Sequence, residues 1–407
     1  MRALLDSRRL RKLVQENARN RNAVAYAAMI AFALLFPAMA QFATGGSGDY
    51  LVSQAADGGV WVLLCIGLNV VVGFAGLLDL GYAAFFAIGA FTYAMLASNQ
   101  GATTPIHTPI HLPFWLLLFV AMFVAASFGA ILGAPTLRLR GDYLAIVTLG
   151  FGEIVPRVFR NLSDWTSGVN GISALDAPSL PVWLDGPWAN LPLQITTDFR
   201  FTSANATAYY VLMVLLIFGS VILVNNLQRS RLGRAWMAVR EDEVAAAAMG
   251  VNTVAIKLLA FGIGAAFSGF GGAFYGAKLS LVSPENFTFI VSITVLVMIV
   301  LGGMGNIPGV MVGGLLIYYL LYVGLPNLPQ QAAGLVTALG LDSLNQRNGD
   351  WPGMAEEVQR LKFLLFGLIL VVVMLLRPQG LIPSQVREQE LTHGAVTEQT
   401  VFDVRTV

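Results

Sequence analysis

Charge is scarce in this chain. Only 12% of its 407 residues are Asp, Glu, Lys or Arg, against roughly 25% in soluble domains. Hydrophobic residues make up 56%. That balance excludes an ordinary soluble domain and defines an integral membrane protein. There is one cysteine, Cys65, inside an apolar run. It excludes an internal disulfide and reads as a small buried apolar residue. Histidine is limited to His107, His111 and His393. His107 and His111 are four apart, but Pro105, Pro109 and Pro113 break any helix there, so they read as loop residues and no metal site is expected. There are four lysines and none follows a glycine. The G-x-x-x-x-G-K-[ST] phosphate loop is therefore missing, which excludes an ATPase of that mechanism. No Ser/His/Asp or Cys/His set stands out, so no catalytic residues are assigned and the chain is not read as an enzyme. The basic residues lie at the edges of apolar runs, where membrane topology alone places them, so nucleic-acid binding has no support.

What is abundant is membrane-length oil. A helix needs about 20 apolar residues to cross the bilayer core. Ten runs approach that length: 24–43, 58–76, 82–98, 113–134, 142–160, 207–227, 257–280, 288–305, 308–325 and 363–377. The fold class expected is an all-α polytopic transmembrane bundle of about ten spans. Ala38-Met39-Ala40 resembles a cleavage site, but the long lead-in before the first run favours an uncleaved anchor. The arm 1–23 carries Arg2, Arg8, Arg9, Arg11, Lys12, Arg19 and Arg21. By the positive-inside rule it is cytoplasmic. Ten spans return the tail 381–407 to the cytoplasm as well. Parity also places Arg138/Arg140, the polar segment 228–257, Arg377, Arg387 and Arg405 inside, so that 17 of the 24 Lys and Arg are internal. The stretches 161–206 and 326–362 fall outside as periplasmic loops. Arg157 and Arg160, near the outer end of the fifth span, fit this topology least well and suggest a tilted or re-entrant span.

Within the transmembrane domain 24–380, Gly264, Ser268, Gly272 and Gly276 recur every fourth residue and share one helix face. Small residues on one face let another backbone approach closely; the same face is suited to sliding during alternating access. The segment 68–94 is apolar but punctuated by Gly73, Gly76, Asp79, Gly81 and Gly89. A carboxylate inside an apolar helix costs about 2.5–3.5 kcal/mol on the insertion scale. Asp79 therefore either caps the helix that starts near Gly81 or faces a polar path beside an interrupted helix. Glu153 and Arg157 have the spacing of a helical ion pair, with Pro156 between them loosening the helix. Either the pair is structural or Glu153 meets the ammonium group of a substrate. Asn69, Asp79, Tyr82, Tyr143 and Glu153 are taken as residues of a substrate path.

The polar exception to the oil is 229–257, RSRLGRAWMAVREDEVAAAAMGVNTVAIK. Its alanines favour helix, and Gly233 and Gly250 suggest short helices with turns. It offers charge at Arg240, Glu241, Asp242 and Glu243, a small apolar contact at Ala246 and Met249, and a turn at Gly250. It is either a docking segment or a solvated charged loop.

Several stretches carry a family resemblance: GLNVVVGFAGLLDLGYAAFFAIGAFTYA (67–94), PTLRLRGDYLAIVTLGFGEIV (135–155), GVNGI (168–172), GRAWMAVREDEVAAAAMGVN (233–252), LVSPENFTF (281–289), VLGGMGNIPG (300–309) and RPQGLIP (377–383). The chain resembles the longer permease subunit of bacterial high-affinity branched-chain amino acid ABC transporters over residues 60 to 383. The resemblance implies a multi-pass protein of the bacterial inner membrane. It further implies partnership with a second permease subunit, two cytoplasmic ATPase subunits, a periplasmic substrate-binding protein and membrane lipid. No cofactor is implied on this chain; ATP and Mg belong to the ATPase partners. Segment 233–252 resembles the coupling region that docks into an ATPase groove, with Glu243 to Gly250 one residue longer than the usual motif. The substrate class implied is hydrophobic, branched-chain amino acids, with urea and short amides as the related alternative. An ion-coupled secondary transporter using Asp79 or Glu153, and a non-transporting scaffold, are the readings from other classes.

Overall fold

The computed structural model describes residues 30–42, 45, 48–105, 107–136, 142–179, 201, 205–340, 345, 353–377 and 380–382. The basic arm, Arg138/Arg140 and nearly all of the tail lie outside the described residues, as does much of the loop 161–206.

Apolar runs become helices because a backbone in oil must satisfy its own hydrogen bonds. In chain order they are α1 (Ile30–Phe42), α2 (Asp49–Leu68), α3 (Tyr82–Leu96), α4 (Phe114–Thr136), α5 (Asp142–Asn161) and α6 (Ala206–Arg229). After them come α7 (Arg231–Glu241), α8 (Glu243–Ala248), α9 (Thr253–Leu279), α10 (Phe289–Gly302), α11 (Ile307–Tyr318), α12 (Leu325–Ala338) and α13 (Met354–Leu376). Two antiparallel strand pairs tie loops together: β1 (Ala97–Ser98) with β2 (Ile110–His111), and β3 (Ile172–Ser173) with β4 (Leu281–Val282).

Among the described residues, each of the ten predicted spans overlaps a helix. Among the same described residues, five stretches are long and apolar enough to cross a membrane on their own: Asp49–Phe74, Phe114–Thr136, Ala206–Arg229, Thr253–Leu279 and Ile307–Ala338. The protein is thus a multi-pass helical membrane protein. The 15-residue α3 rises about 22 Å, less than the hydrocarbon thickness of about 30 Å, and α10 is shorter still.

The described residues within 1–57 and 179–218 form one compact unit, and those within 58–178 and 219–407 another. In the first, Ala40, Val52, Ala56 and Tyr210 form a small core flanked by Phe36, Leu51 and Val214. The Tyr210 hydroxyl donates to the Ala33 carbonyl at 2.8 Å.

The second unit is organised around α9, which packs along both α3 and α4. Close approach is built from small residues. A Cβ at Gly272 would lie 2.4 Å from the Phe86 carbonyl oxygen, and one at Gly89 would lie 2.3 Å from the Gly269 Cα. Gly264 and Ser268, with Gly272, turn toward α2 and α3: the Tyr82 hydroxyl donates to Gly264 O at 3.1 Å, and Ser268 Oγ donates to Tyr82 O at 3.3 Å. Gly276 meets Val282 and Tyr93. A second small face, Ala265 and Gly269, receives Gly129 and Ala125 of α4. The single stripe read from sequence is therefore half of the packing, because α9 is sandwiched rather than one-sided.

Among the described residues, two helices depart from α geometry. α2 runs on into a π-helical turn, Asn69–Phe74. α11 continues through a π-helical turn, Tyr319–Gly324, into α12. The sequence places an outside loop at 326–362; the helix instead persists to Ala338, through Pro326 and Pro329. A π turn already displaces the i−4 ladder, so the proline ring and missing N–H meet fewer obligations there.

Candidate coupling site

Segment 229–257 folds into two short helices, and their ends follow from their caps. Ser230 precedes α7, and its Oγ accepts from Leu232 N at 3.1 Å and Gly233 N at 3.3 Å. Asp242 ends α7 and starts α8, its Oδ1 accepting from Val244 N at 2.8 Å and Ala245 N at 3.0 Å. The break falls at Asp242, whereas sequence reasoning bounds the helices at Gly233. Gly233 lies inside α7, where a Cβ would stand 2.2 Å from the Gln228 carbonyl oxygen; it permits a tight elbow between α6 and α7. Gly250, at φ +85°, makes the turn that leads to α9.

Three ties fix the segment to the helices beneath it. Trp236, fully buried, donates from Nε1 to Ile256 O at 2.7 Å. Lys257 Nζ meets Glu243 Oε1 at 2.6 Å, and Lys257 is only 6% exposed. Arg240 Nη1 donates to Gly73 O at 2.6 Å, at the end of the π turn of α2.

This geometry divides the coupling residues named from sequence into internal and outward ones. Arg240 and Glu243 are spent on internal partners, and Ala246 is 5% exposed, packed inside. Glu241, Asp242 and Gly250 are exposed, with Asp242 occupied as a cap. The large outward apolar side chains are Met249, 85% exposed, and Val244, 68% exposed. Val244, Trp236 and Lys257 were missed as site residues. Lys257 had a signal: a lysine at the start of an apolar run needs a partner.

The substrate-path residues do not come together. Asn69 is buried, and its Oδ1 accepts from Gly305 N at 2.9 Å. Tyr82 is buried and holds α9 through Gly264 O. Asp79 is buried in the connection between the π turn and α3, its Oδ1 accepting from Gly81 N at 2.8 Å. Burial pushes its carboxyl up to about 7, against the opposing pull of Gly81 N–H and the Thr148 hydroxyl. Gly81 itself is wedged against α5: a Cβ there would lie 2.2 Å from Thr148 O. The cleft lined by Asp79, Gly81, Phe85, Thr136, Thr148 and Phe151 has room for roughly one water molecule.

Tyr143, 70% exposed, and the Glu153–Arg157 pair, Nη2 to Oε2 3.1 Å, lie instead on the open side of α5. Pro156 leaves α5 unbroken to Asn161. Arg160 pairs with Glu285 across the chain. His111, on β2, binds Asp176 Oδ2 through Nδ1 at 2.6 Å.

A bundle of apolar helices carrying an anchored polar helix pair is a multi-pass membrane architecture. The chain belongs to the family described as branched-chain amino acid transport system / permease component, which matches residues 50–374. It is 37% identical over 342 residues to the high-affinity branched-chain amino acid transport system permease protein LivM of Escherichia coli K12, covering 83% of this chain and 71% of that protein. It is 26% identical over 355 residues to BraD of Pseudomonas aeruginosa, a permease protein of the same description, covering 82% and 94%. A shorter match, 30% over 139 residues, links it to LivH of E. coli, covering 34% and 43%. No solved structure matches the chain.

Proposed function

We propose that this chain is one of two permease subunits of an ATP-driven importer that carries branched-chain, hydrophobic amino acids across the inner membrane. The observation that carries this reading is an exposed edge, Glu241, Val244 and Met249, on an anchored helix pair in a chain of this family. Two separate ATPase subunits hydrolyse ATP, and a periplasmic binding protein delivers the substrate. ATP favours the closed ATPase pair through its higher affinity for that state, and the exposed edge receives the displacement.

The chain is taken to cross ten times with both termini cytoplasmic, a reading supported by the basic residues at the edges of its apolar runs. A second permease supplies what this chain lacks. The water-sized cleft beside Asp79 cannot pass an amino-acid side chain. The open side of α5 carries an ion pair that hydrocarbon would reject. That side, with Tyr143, Glu153 and Arg157, forms one wall of the route, and the second permease forms the other.

The test is uptake of radiolabelled leucine by the reconstituted complex of both permeases, ATPases and binding protein. ATP-dependent uptake that excess unlabelled leucine abolishes and urea leaves intact is expected. Uptake driven by an ion gradient without ATPase subunits would refute it.

A further inference from the structure

The last carbonyls of a helix have no intrahelical partner. The long helical stretch from Asp49 ends at Phe74, and the Gly73 carbonyl is among those orphans. The partner it finds is remote in sequence: Arg240 Nη1, at 2.6 Å. A guanidinium at this end also complements the negative pole of the helix. The contact has been given room. Gly76 has φ +69°, and a Cβ there would stand 2.8 Å from Arg240 Cγ and 3.3 Å from its Cβ. The arginine stem therefore lies against a glycine turn that few other residues could form.

The capped helix end is irregular on both sides of this contact. It is π-helical, a geometry that recurs at functional sites. Asn69 Oδ1 accepts from Gly305 N at 2.9 Å, while Asn69 Nδ2 is buried with no partner among the described residues. Beyond Gly76 the chain passes to Asp79 and the start of α3. This junction is thus joined to the Gly303–Gly305 turn on one side and to α7 on the other.

We propose that Arg240 is a positioning residue that ties the coupling helices to the end of the first long span, so that α7 and the Gly73–Gly76 junction move as one body during transport. This rests on the coupling role proposed above. The tie makes the interrupted segment, rather than α9 alone, a recipient of the ATPase stroke.

The experiment uses the full importer in lipid nanodiscs. Spin labels are placed on the exposed positions Ala238 of α7 and Leu78 of the junction, each changed to Cys; the native Cys65 is buried and stays unlabelled. The expected result is a label spacing that does not change between nucleotide-free and nucleotide-trapped complexes. In Arg240→Ala the spacing diverges between the two states, uptake is lost, and ATP hydrolysis and ATPase co-purification persist. Arg240→Lys, which keeps a cationic donor, recovers part of the uptake. A spacing that changes between states without the Arg240→Ala substitution overturns the proposal, as does wild-type uptake by Arg240→Ala. The spacing in the parent complex decides the matter even if Arg240→Ala fails to assemble. Failure of the ATPases to co-purify with the unsubstituted permease would instead overturn the coupling role itself.

Discussion

The Lys257–Glu243 pair should break unequally depending on which partner is removed. The two side chains meet at 2.6 Å, with the lysine 8% exposed and the glutamate 33%. Removing one member of a fully buried pair costs about 3–5 kcal/mol, because the survivor is left charged and dry. For Glu243→Ala the survivor is the nearly buried ammonium, and the partial exposure at the glutamate side lowers the expected loss to about 1–3 kcal/mol. For Lys257→Met the survivor is a carboxylate one-third open to water, and methionine refills the volume of the lysine stem. That loss should be about 0–1 kcal/mol. The double variant should return close to the parent, since both charges leave together and the cycle isolates the pair term. The measurement is thermal stability of the purified permease complex in nanodiscs for the four proteins side by side. Lys257→Met as harmful as Glu243→Ala, or a double variant no better than the worse single one, would refute the reasoning.

Three further outcomes follow from the same contacts. Gly272→Ala should destabilise by about 1–3 kcal/mol, since its Cβ would face the Phe86 carbonyl at 2.4 Å; Gly219→Ala, with nothing within 4 Å, should be neutral or stabilise by up to about 1 kcal/mol. Both are read from melting midpoints. The Asp79 carboxyl is raised from an ordinary 3.8 to about 7, so the folded state holds its proton where the unfolded chain has lost it. Stability should fall as pH rises through that window and level off above it, and Asp79→Asn should flatten the profile in a pH series of melts. Met249→Asp should weaken ATPase co-purification without moving the melting point, whereas Ala246→Asp, at a packed position, should lower the melting point first.

The span helices were legible because each is an apolar run at least a dozen residues long, and oil enforces helix; α12, with its two prolines, was read as loop instead. The coupling segment was legible for the opposite reason: Arg240 to Glu243 is a dense run of charge that hydrocarbon cannot hold. What could not be read was the direction each side chain takes. Arg240 looks like a docking charge until Gly73, 167 positions away, accepts from it. Glu243 looks free until the helix geometry brings Lys257 beneath it. Ala246 and Met249 lie on one short helix and its end, yet opposite burial separates them, and only the packing of α8 on α9 decides which faces out. The two π turns had no sequence signal. Tyr82 and Asn69 were read as pathway residues because polar atoms in apolar helices invite that reading; Tyr82 donates to the Gly264 carbonyl of α9, and Asn69 Oδ1 accepts from Gly305 N of the turn before α11.

These placements constrain how force can enter the bundle. Trp236 and Glu243 grip the first turns of α9, and Arg240 grips the end of the α2 stretch. A push on Met249 therefore cannot bend the coupling helices alone without breaking one of three contacts. α9 in turn meets α3 and α4 largely through glycine and alanine, where backbone lies against backbone, with the Phe85–Phe261 and Phe86–Tyr275 ring pairs beside them on α3. Such an interface resists compression and shifts as a unit. The small faces offer little to oppose sliding along the helix axis; the Phe85–Phe261 and Phe86–Tyr275 ring pairs and the Tyr82–Gly264 hydrogen bond are the contacts such a shift would have to move. The motion best supported by these contacts is a rigid displacement of α9 along its neighbours, and Gly272→Ala would oppose it even where the protein still assembles. Its signature is uptake reduced more than stability, and a Gly272→Ala protein that assembled and transported at the parent rate would rule it out.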